Sequence, residues 1–146
     1  MSNVNEQLNM TGHLQICLND ELVRDVPNLV VNAGKGFVAA RMIGTSAGVM
    51  SHMEVGTGTT NPAAGNTALE SVVSSSRTAF TTGAAVSGAV VTYVTAFAAG
   101  TGTGALTEAG IFNASSGGTM LCRTEFDVVN KGSADTMTIT WTVTVS

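Results

Sequence analysis

The sequence predicts a single, mainly β domain: an antiparallel β-sandwich of the jelly-roll type with one short helix and an extended N-terminal arm. The chain has 146 residues, about the length of one domain. It contains 21 threonines and 17 glycines, which favour strands and turns over long helices. Its clearest segment, TMTITWTVTV, alternates apolar residues with threonines, as a half-buried strand does. We assign residues 1–12 to the arm and residues 13–146 to the β domain.

The arm and a hairpin come first. The arm, MSNVNEQLNMTG, has no hydrophobic period, so we expect it to be mobile alone and ordered against a neighbouring subunit. The hairpin covers HLQICLNDELVRDV, in which Asn19 and Asp20 supply turn chemistry. Pro27 is expected to close this unit. The apolar residues of its first strand alternate, at Leu14, Ile16 and Leu18.

One helix is predicted, within NLVVNAGKGFVAARMIGTSAG from residue 28 onward. Gly34 and Gly36 weaken its first turns by about 1 kcal/mol each relative to alanine. We therefore expect this helix to persist only when it packs against a sheet. Its apolar residues recur at roughly helical spacing, at Val30, Ala33, Phe37, Ala40 and Met42 or Ile43.

The rest of the chain is predicted to form strands joined by uncharged, glycine-rich loops. The strand segments are SHMEV, LESVVSSSRTAFTTG, GAVVTYVTAFAAG, MLCRTEFDVV and TMTITWTVTV. The last two are expected to form an antiparallel hairpin through NKGSAD. In the final strand the core face carries Met137, Ile139, Trp141, Val143 and Val145. In its partner, Met120, Cys122, Thr124, Phe126 and Val128 are expected to face inward, and Arg123, Glu125 and Asp127 outward.

Two glycine-threonine runs imitate phosphate-binding motifs. The first, VGTGTTNPAAGN at residues 55–66, lacks the lysine with which a P-loop reaches the terminal phosphates. We predict an ordered connection in which Pro62 fixes φ while Gly56, Gly58 and Gly65 permit positive φ.

The second run, GTGTGA at residues 100–105, fits the dinucleotide-binding pattern G-x-G-x-x-A, and Glu125 lies about 20 residues beyond it. A dinucleotide site needs its glycines to open a substantial helix. Here Gly110 and the pair at residues 117–118 interrupt the following segment. We predict a loop and no cofactor.

The other candidates for chemistry are scattered. His52 and Glu54 lie two residues apart on one strand face, a spacing that suits an acid–base pair or half a metal site. No third ligand or nucleophile accompanies them, and His13 is the only other histidine, so a polar or interface-facing strand is the favoured interpretation. Turn, strand-end or packing roles are expected for Glu108, Asp135, Met50 and Met53. We predict no catalytic residue, no metal site and no enzymatic activity.

Charge composition restricts the partners. The net charge is −4, and the six basic residues are dispersed, which argues against a nucleic-acid ligand. Charged residues make up only 11% of the chain, against roughly 25% in ordinary soluble domains. A surface this poor in charge resembles an interface, so we expect self-assembly, and we predict a homotrimer.

Cysteine usage and the N-terminal sequence predict a protein made in the cytoplasm. Cys17 and Cys122 follow no metal or redox spacing. The sequence allows them to pair, although two free, buried thiols are the favoured interpretation. The N-terminal residues lack the features of a signal peptide, and no apolar run approaches the roughly 20 residues that span a bilayer.

Three segments carry a family resemblance: SHMEVGTGTTNPAAGNTALE, VTYVTAFAAGTGTGALTEAGIFNASSGGTMLCRT and VVNKGSADTMTITWTVTV. Over residues 28–146 the chain resembles small structural proteins of tailed double-stranded DNA bacteriophages. This resemblance implies a virion component without catalytic residues. We expect a capsid cement (decoration) protein, which binds the major capsid protein on the outer surface of the icosahedral shell. The alternative is a tail or tail-fibre component that acts in tail assembly or host-surface recognition.

Overall fold

The computed structural model describes residue 4, residues 6–44 and residues 48–146. These residues form one α-helix and nine strands. In chain order they are β1 (Met10–Leu18), β2 (Glu21–Val30), α1 (Asn32–Arg41), β3 (His52–Gly56), β4 (Thr78–Ala79), β5 (Thr82–Ser87), β6 (Val90–Phe97), β7 (Gly104–Phe112), β8 (Met120–Lys131) and β9 (Met137–Val145).

The nine strands form one sheet in the order β4-β3-β7-β8-β2-β1-β9-β6-β5, and every neighbouring pair is antiparallel. The sheet curls into a half-barrel. Both of its halves contribute to the main core cluster, which includes Trp141 and Ile139 from β9, Phe97 from β6 and Ile111 from β7. The predicted mainly β, antiparallel class with one helix is confirmed, whereas the jelly-roll sandwich stays a prediction.

The predicted first hairpin is confirmed. Asn19 and Asp20 have φ values of 50° and 68°, and they join two strands whose pairing continues to Gly12 opposite Asn28. Pro27 does not close the unit, because β2 continues through it. Proline is accommodated there because this part of β2 pairs with β1, while pairing with β8 begins only at Leu29.

The predicted helix is α1, and it packs on β8 as expected. The approach is close: a Cβ atom at Gly34 would lie 2.1 Å from the carbonyl oxygen of Leu121. Glycine at this position therefore weakens the isolated helix but allows the packing that stabilises it. Nowhere in the described chain does a helix have the length and apolar character needed to cross a membrane.

The predicted hairpin between the last two strands is wrong. β9 pairs with β1 and β6, while β8 pairs with β2 and β7. The β1–β2 hairpin lies between them, and its turn holds the β8–β9 connection through the backbone bond from Asn19 N–H to the Thr136 carbonyl, 2.9 Å. Short separation in sequence thus did not decide which strands pair.

The predicted buried face is confirmed for most of β9 but only for part of β8. In β9, Met137, Ile139, Trp141 and Val143 are buried as expected. In β8, Arg123 was expected outside but is 1% exposed, and Val128 was expected inside but is 43% exposed. Arg123 is covered because it donates hydrogen bonds to Thr60 and Asn66, and the face changes before Val129 because the β7–β8 pairing shifts register between Leu106 and Glu108.

Two further corrections concern strand content. Of LESVVSSSRTAFTTG, the regular strands take only Thr78–Ala79 and the start of β5. Side-chain hydrogen bonds, and not a strand ladder, attach part of this segment to β3. The hydroxyl of Ser76, for example, accepts from Val55 N–H at 3.2 Å and donates to the Val55 carbonyl at 3.0 Å. Conversely, β7 was not predicted as a strand, although it pairs with both β3 and β8.

The predicted arm is described only in part, because residues 1–3 and 5 lie outside the described residues. Met10–Gly12, which were assigned to the arm, belong to β1 and pair with β9. Asn9 also exchanges two backbone hydrogen bonds with Ser146, of 2.6 and 2.8 Å. The sheet therefore includes residues up to this point of the chain.

Candidate functional site

A buried carboxylate organises the loop that contains the first glycine-threonine run. Glu108 lies within β7 and is fully buried. Its Oε2 accepts the backbone N–H groups of Gly58 and Ser71, both at 2.8 Å, and its Oε1 accepts that of Glu70 at 2.9 Å. The turn or strand-end role expected for Glu108 is therefore wrong. Its side chain is the anchor to which both arms of the loop attach.

A buried arginine completes this anchor. Arg123, on the neighbouring strand β8, donates from Nε to Glu108 Oε1 at 3.0 Å. It also donates to the carbonyl of Thr60 at 3.0 Å and to Oδ1 of Asn66 at 3.3 Å. Both charges are removed from water, but each is paired and further hydrogen-bonded, which is what makes buried ions tolerable.

The geometry explains the phosphate-like appearance of residues 55–66. Amides that bind an anion are present, but the anion is the protein's own Glu108 carboxylate. The expected positive φ at Gly56, Gly58 and Gly65 is wrong. Glycine is required at the first two by close approach: an added Cβ would lie 2.5 Å from the Ser71 carbonyl oxygen at Gly56 and 2.4 Å from Glu108 Oε2 at Gly58.

The second glycine run joins β6 to β7, as the loop interpretation predicted. Gly100, Gly102 and Gly104 have φ values of 84°, 64° and 143°, which only glycine adopts readily. The segment that follows is a strand and not the helix that a dinucleotide site requires. Lys131 Nζ fixes the start of this loop by donating to the carbonyl of Ala98 at 3.0 Å. Burial lowers the pKa of Lys131.

His52 and Glu54 have separate partners. Glu54 forms an ion pair with Arg77, whose Nε lies 3.0 Å from Oε2. His52 Nδ1 lies 2.6 Å from the hydroxyl of Ser51, and burial followed by the charge of Arg77 lowers the pKa of His52. Arg77 also stacks 3.7 Å from the ring centroid of Phe112. We infer that this group is a structural clamp between β3, β4 and β7.

The remaining candidates are also engaged locally. Asp135 accepts the backbone N–H of Gly132 at 2.7 Å and the Asn19 amide at 2.9 Å, so its turn role is confirmed. These hydrogen bonds, that of Asn19 first, lower the pKa of Asp135. His13 contacts Asp25. Met50 and Met53 pack in the core, as predicted. In the described part of the chain no three His, Cys, Asp or Glu side chains are grouped to hold a metal ion.

Both cysteines are free thiols, as favoured from the sequence. Cys122 is buried, and burial raises the pKa of its thiol well above the usual value. Cys17, expected to be buried, is only half-buried. Cys122 is therefore protected from thiol reagents in the native protein, since the thiolate is the reactive form.

Part of the protein surface lacks charge, in contrast to the buried ion pairs described above. Residues 78–107, which include β5 and β6, contain no charged residue and no histidine. All six residues of β5 are exposed, and Val86 retains 70% of its accessible surface.

Elsewhere, an open cleft of about 360 Å³ is lined by residues that include both prolines of the chain, Pro27 and Pro62. The feature that sequence reasoning missed is the pairing of Glu108 with Arg123, although a charge within an apolar segment of a charge-poor chain was a usable signal.

Comparison of the chain with family models, curated proteins and solved structures gives no match.

Proposed function

We propose that the chain is a structural subunit of a bacteriophage virion, and specifically a capsid cement protein that binds the outer surface of the icosahedral shell. The observation that carries this proposal is the uncharged, fully exposed strand β5 at one end of the sheet. Such a strand offers unpaired backbone groups and small apolar side chains, which are features of an assembly surface. The phage resemblance supplies the class of assembly.

The use of charge supports the same proposal. Arg77 and Arg123 are paired with buried carboxylates, and Lys131 is bonded to a backbone carbonyl. Arg24 donates to the carbonyls of Asp127 and Val128 at 2.9 and 2.6 Å. Four of the six basic residues of the chain therefore form hydrogen bonds or ion pairs that stabilise the fold. The net charge of −4 would disfavour adhesion to packaged DNA.

A cement protein stabilises the shell through thermodynamic linkage between its binding and the assembly of the shell. A subunit that binds the assembled lattice, and not its separated parts, stabilises that lattice by mass action. We further propose that the two halves of the curled sheet serve as the layers of a jelly-roll-like sandwich and that the subunit is a homotrimer. Its arm, shortened to residues 1–8 because the sheet already includes Asn9 and Met10–Gly12, would reach a neighbouring protomer or capsomer, since about eight extended residues span up to roughly 28 Å.

Shells that lack the chain provide the test. Adding the purified protein should raise the temperature at which the shells rupture, in proportion to the occupied sites. A variant that lacks residues 1–8 should bind more weakly while its own thermal transition stays within about 2 °C, because β1 begins only at Met10. Shells without added protein are the control.

The outcomes separate the candidate roles. Binding to shells with increased rupture temperature supports the cement role. Binding to tails or fibres but not to shells would replace it with the tail alternative. A protein that binds neither particle part would contradict the proposal.

A further inference from the structure

Strand β5 is an exposed sheet edge that carries neither charge nor proline. In the described part of the chain, β6 is the only strand that pairs with β5, so its outer backbone edge faces away from the sheet. Sheet edges are usually blunted by charged side chains, proline, bulges or very short strands. β5 has neither a charge nor a proline, and its one irregularity is a register shift between Thr82 and Ala85. The opposite edge, β4, has only two residues.

The chemistry of this edge selects its partner. The backbone N–H and C=O groups along this edge are left to solvent, and another extended strand can pair with them in a regular ladder. Neither face of β5 is covered, so a partner strand can approach without moving any part of the fold. Ala84 and Ala85 are small, and Val86 is an exposed apolar side chain.

The absence of charge near β5 allows a second copy of the same chain to approach this edge. Two copies with a net charge of −4 repel each other over most approaches, yet residues 78–107 place no charge in this region. The edge also complements itself, because an antiparallel pair of identical strands about a twofold axis satisfies both copies equally. An acidic or basic partner peptide would find no counter-charge here.

We propose that the outer edge of β5 pairs antiparallel with β5 of a second copy about a twofold axis, so that the two nine-stranded sheets continue as one. This contact is one use of the β5 edge that carries the proposed function, and it differs from the threefold contact of the proposed trimer. Six residues make a small contact, so we expect association to be weak and concentration-dependent.

Sedimentation and hydrogen exchange of the wild type, from ~10 μM to ~1 mM, test the proposal. We expect the mass to double over this range, to a dimer from monomers or to a hexamer from trimers, and the β5 amides to exchange more slowly at high concentration. The double variant Ala84→Lys/Ala85→Lys should associate roughly tenfold more weakly, because like charges then oppose each other across the pair. Both side chains are exposed, so the thermal transition should stay near that of the wild type.

The control is Ala134→Lys, which adds a lysine at an exposed position in the β8–β9 connection and should leave association unchanged. Three results would overturn the proposal. One is a mass that does not double over the whole range. Another is doubling without slower exchange in β5 or without an effect of the lysines. The third is protection of β5 that appears only when shells are added, which would assign the edge to the capsid protein.

Discussion

Replacing Glu108 by alanine is expected to destabilise the protein by about 3–5 kcal/mol. The change leaves the guanidinium of Arg123 buried without its carboxylate, and it leaves the backbone N–H groups of Gly58, Glu70 and Ser71 without their acceptor. Unsatisfied buried donors add to the loss. Denaturant unfolding measures this effect. Labelling of the Cys122 thiol in native buffer reports whether β8 also becomes accessible.

Two companion variants make this result specific. Glu21→Ala removes an exposed carboxylate beside the β1–β2 turn and should change stability by no more than about 0.5 kcal/mol. Glu108→Ala/Arg123→Ala should be destabilised by less than the sum of its single variants, because it no longer contains an unpaired buried charge. An unchanged unfolding midpoint for Glu108→Ala would show that the anchor is not needed.

Replacing Gly58 by valine is expected to cost about 3 kcal/mol and to release the same loop. The added Cβ would lie 2.4 Å from Glu108 Oε2 and 2.6 Å from the Cβ of Glu70, so the carboxylate cannot keep its place. The matched control is Gly65→Val, in the same loop, where no atom lies within 4 Å of the added Cβ and φ is not positive. Unfolding midpoints should separate the two variants clearly. Equal stability of both would contradict the close-approach explanation.

Local sequence patterns predicted an element correctly where one of its faces is buried and the other is exposed. The alternation in β9 predicted its core face because threonines line the other face. The Asn19-Asp20 turn was recognisable because both residues accept the left-handed conformation that this tight turn requires. The helix was recognisable from its apolar spacing, even though its stability depends on contact with β8.

Sequence patterns failed where a strand is buried on both faces or where pairing is decided by distant segments. β7 was missed because Glu108 and Gly110 obscure its alternation, and both residues serve contacts with the loop and the core. Arg123 was placed outside because a charge normally marks a solvent face. Its partner is 15 residues away in sequence and on another strand, so only the fold brings the two charges together.

The division of charge within the molecule connects the fold with the proposed role. Ion pairs that would usually decorate a surface lie inside, where they fix a long loop and the clamp at Arg77. The outer strands β5 and β6 are left without charge. Such a domain is held by its own interior and is free to present small polar and apolar side chains to other subunits.

The most direct test of the virion assignment is the number of copies of this chain in purified phage particles. Quantitative mass spectrometry against the major capsid protein gives that number. The cement role predicts on the order of hundreds of copies per particle, as occupation of an icosahedral lattice requires. A few copies, or a few dozen, would move the chain to the tail. Its absence from particles purified from cells that make both the phage and the chain would contradict the assignment.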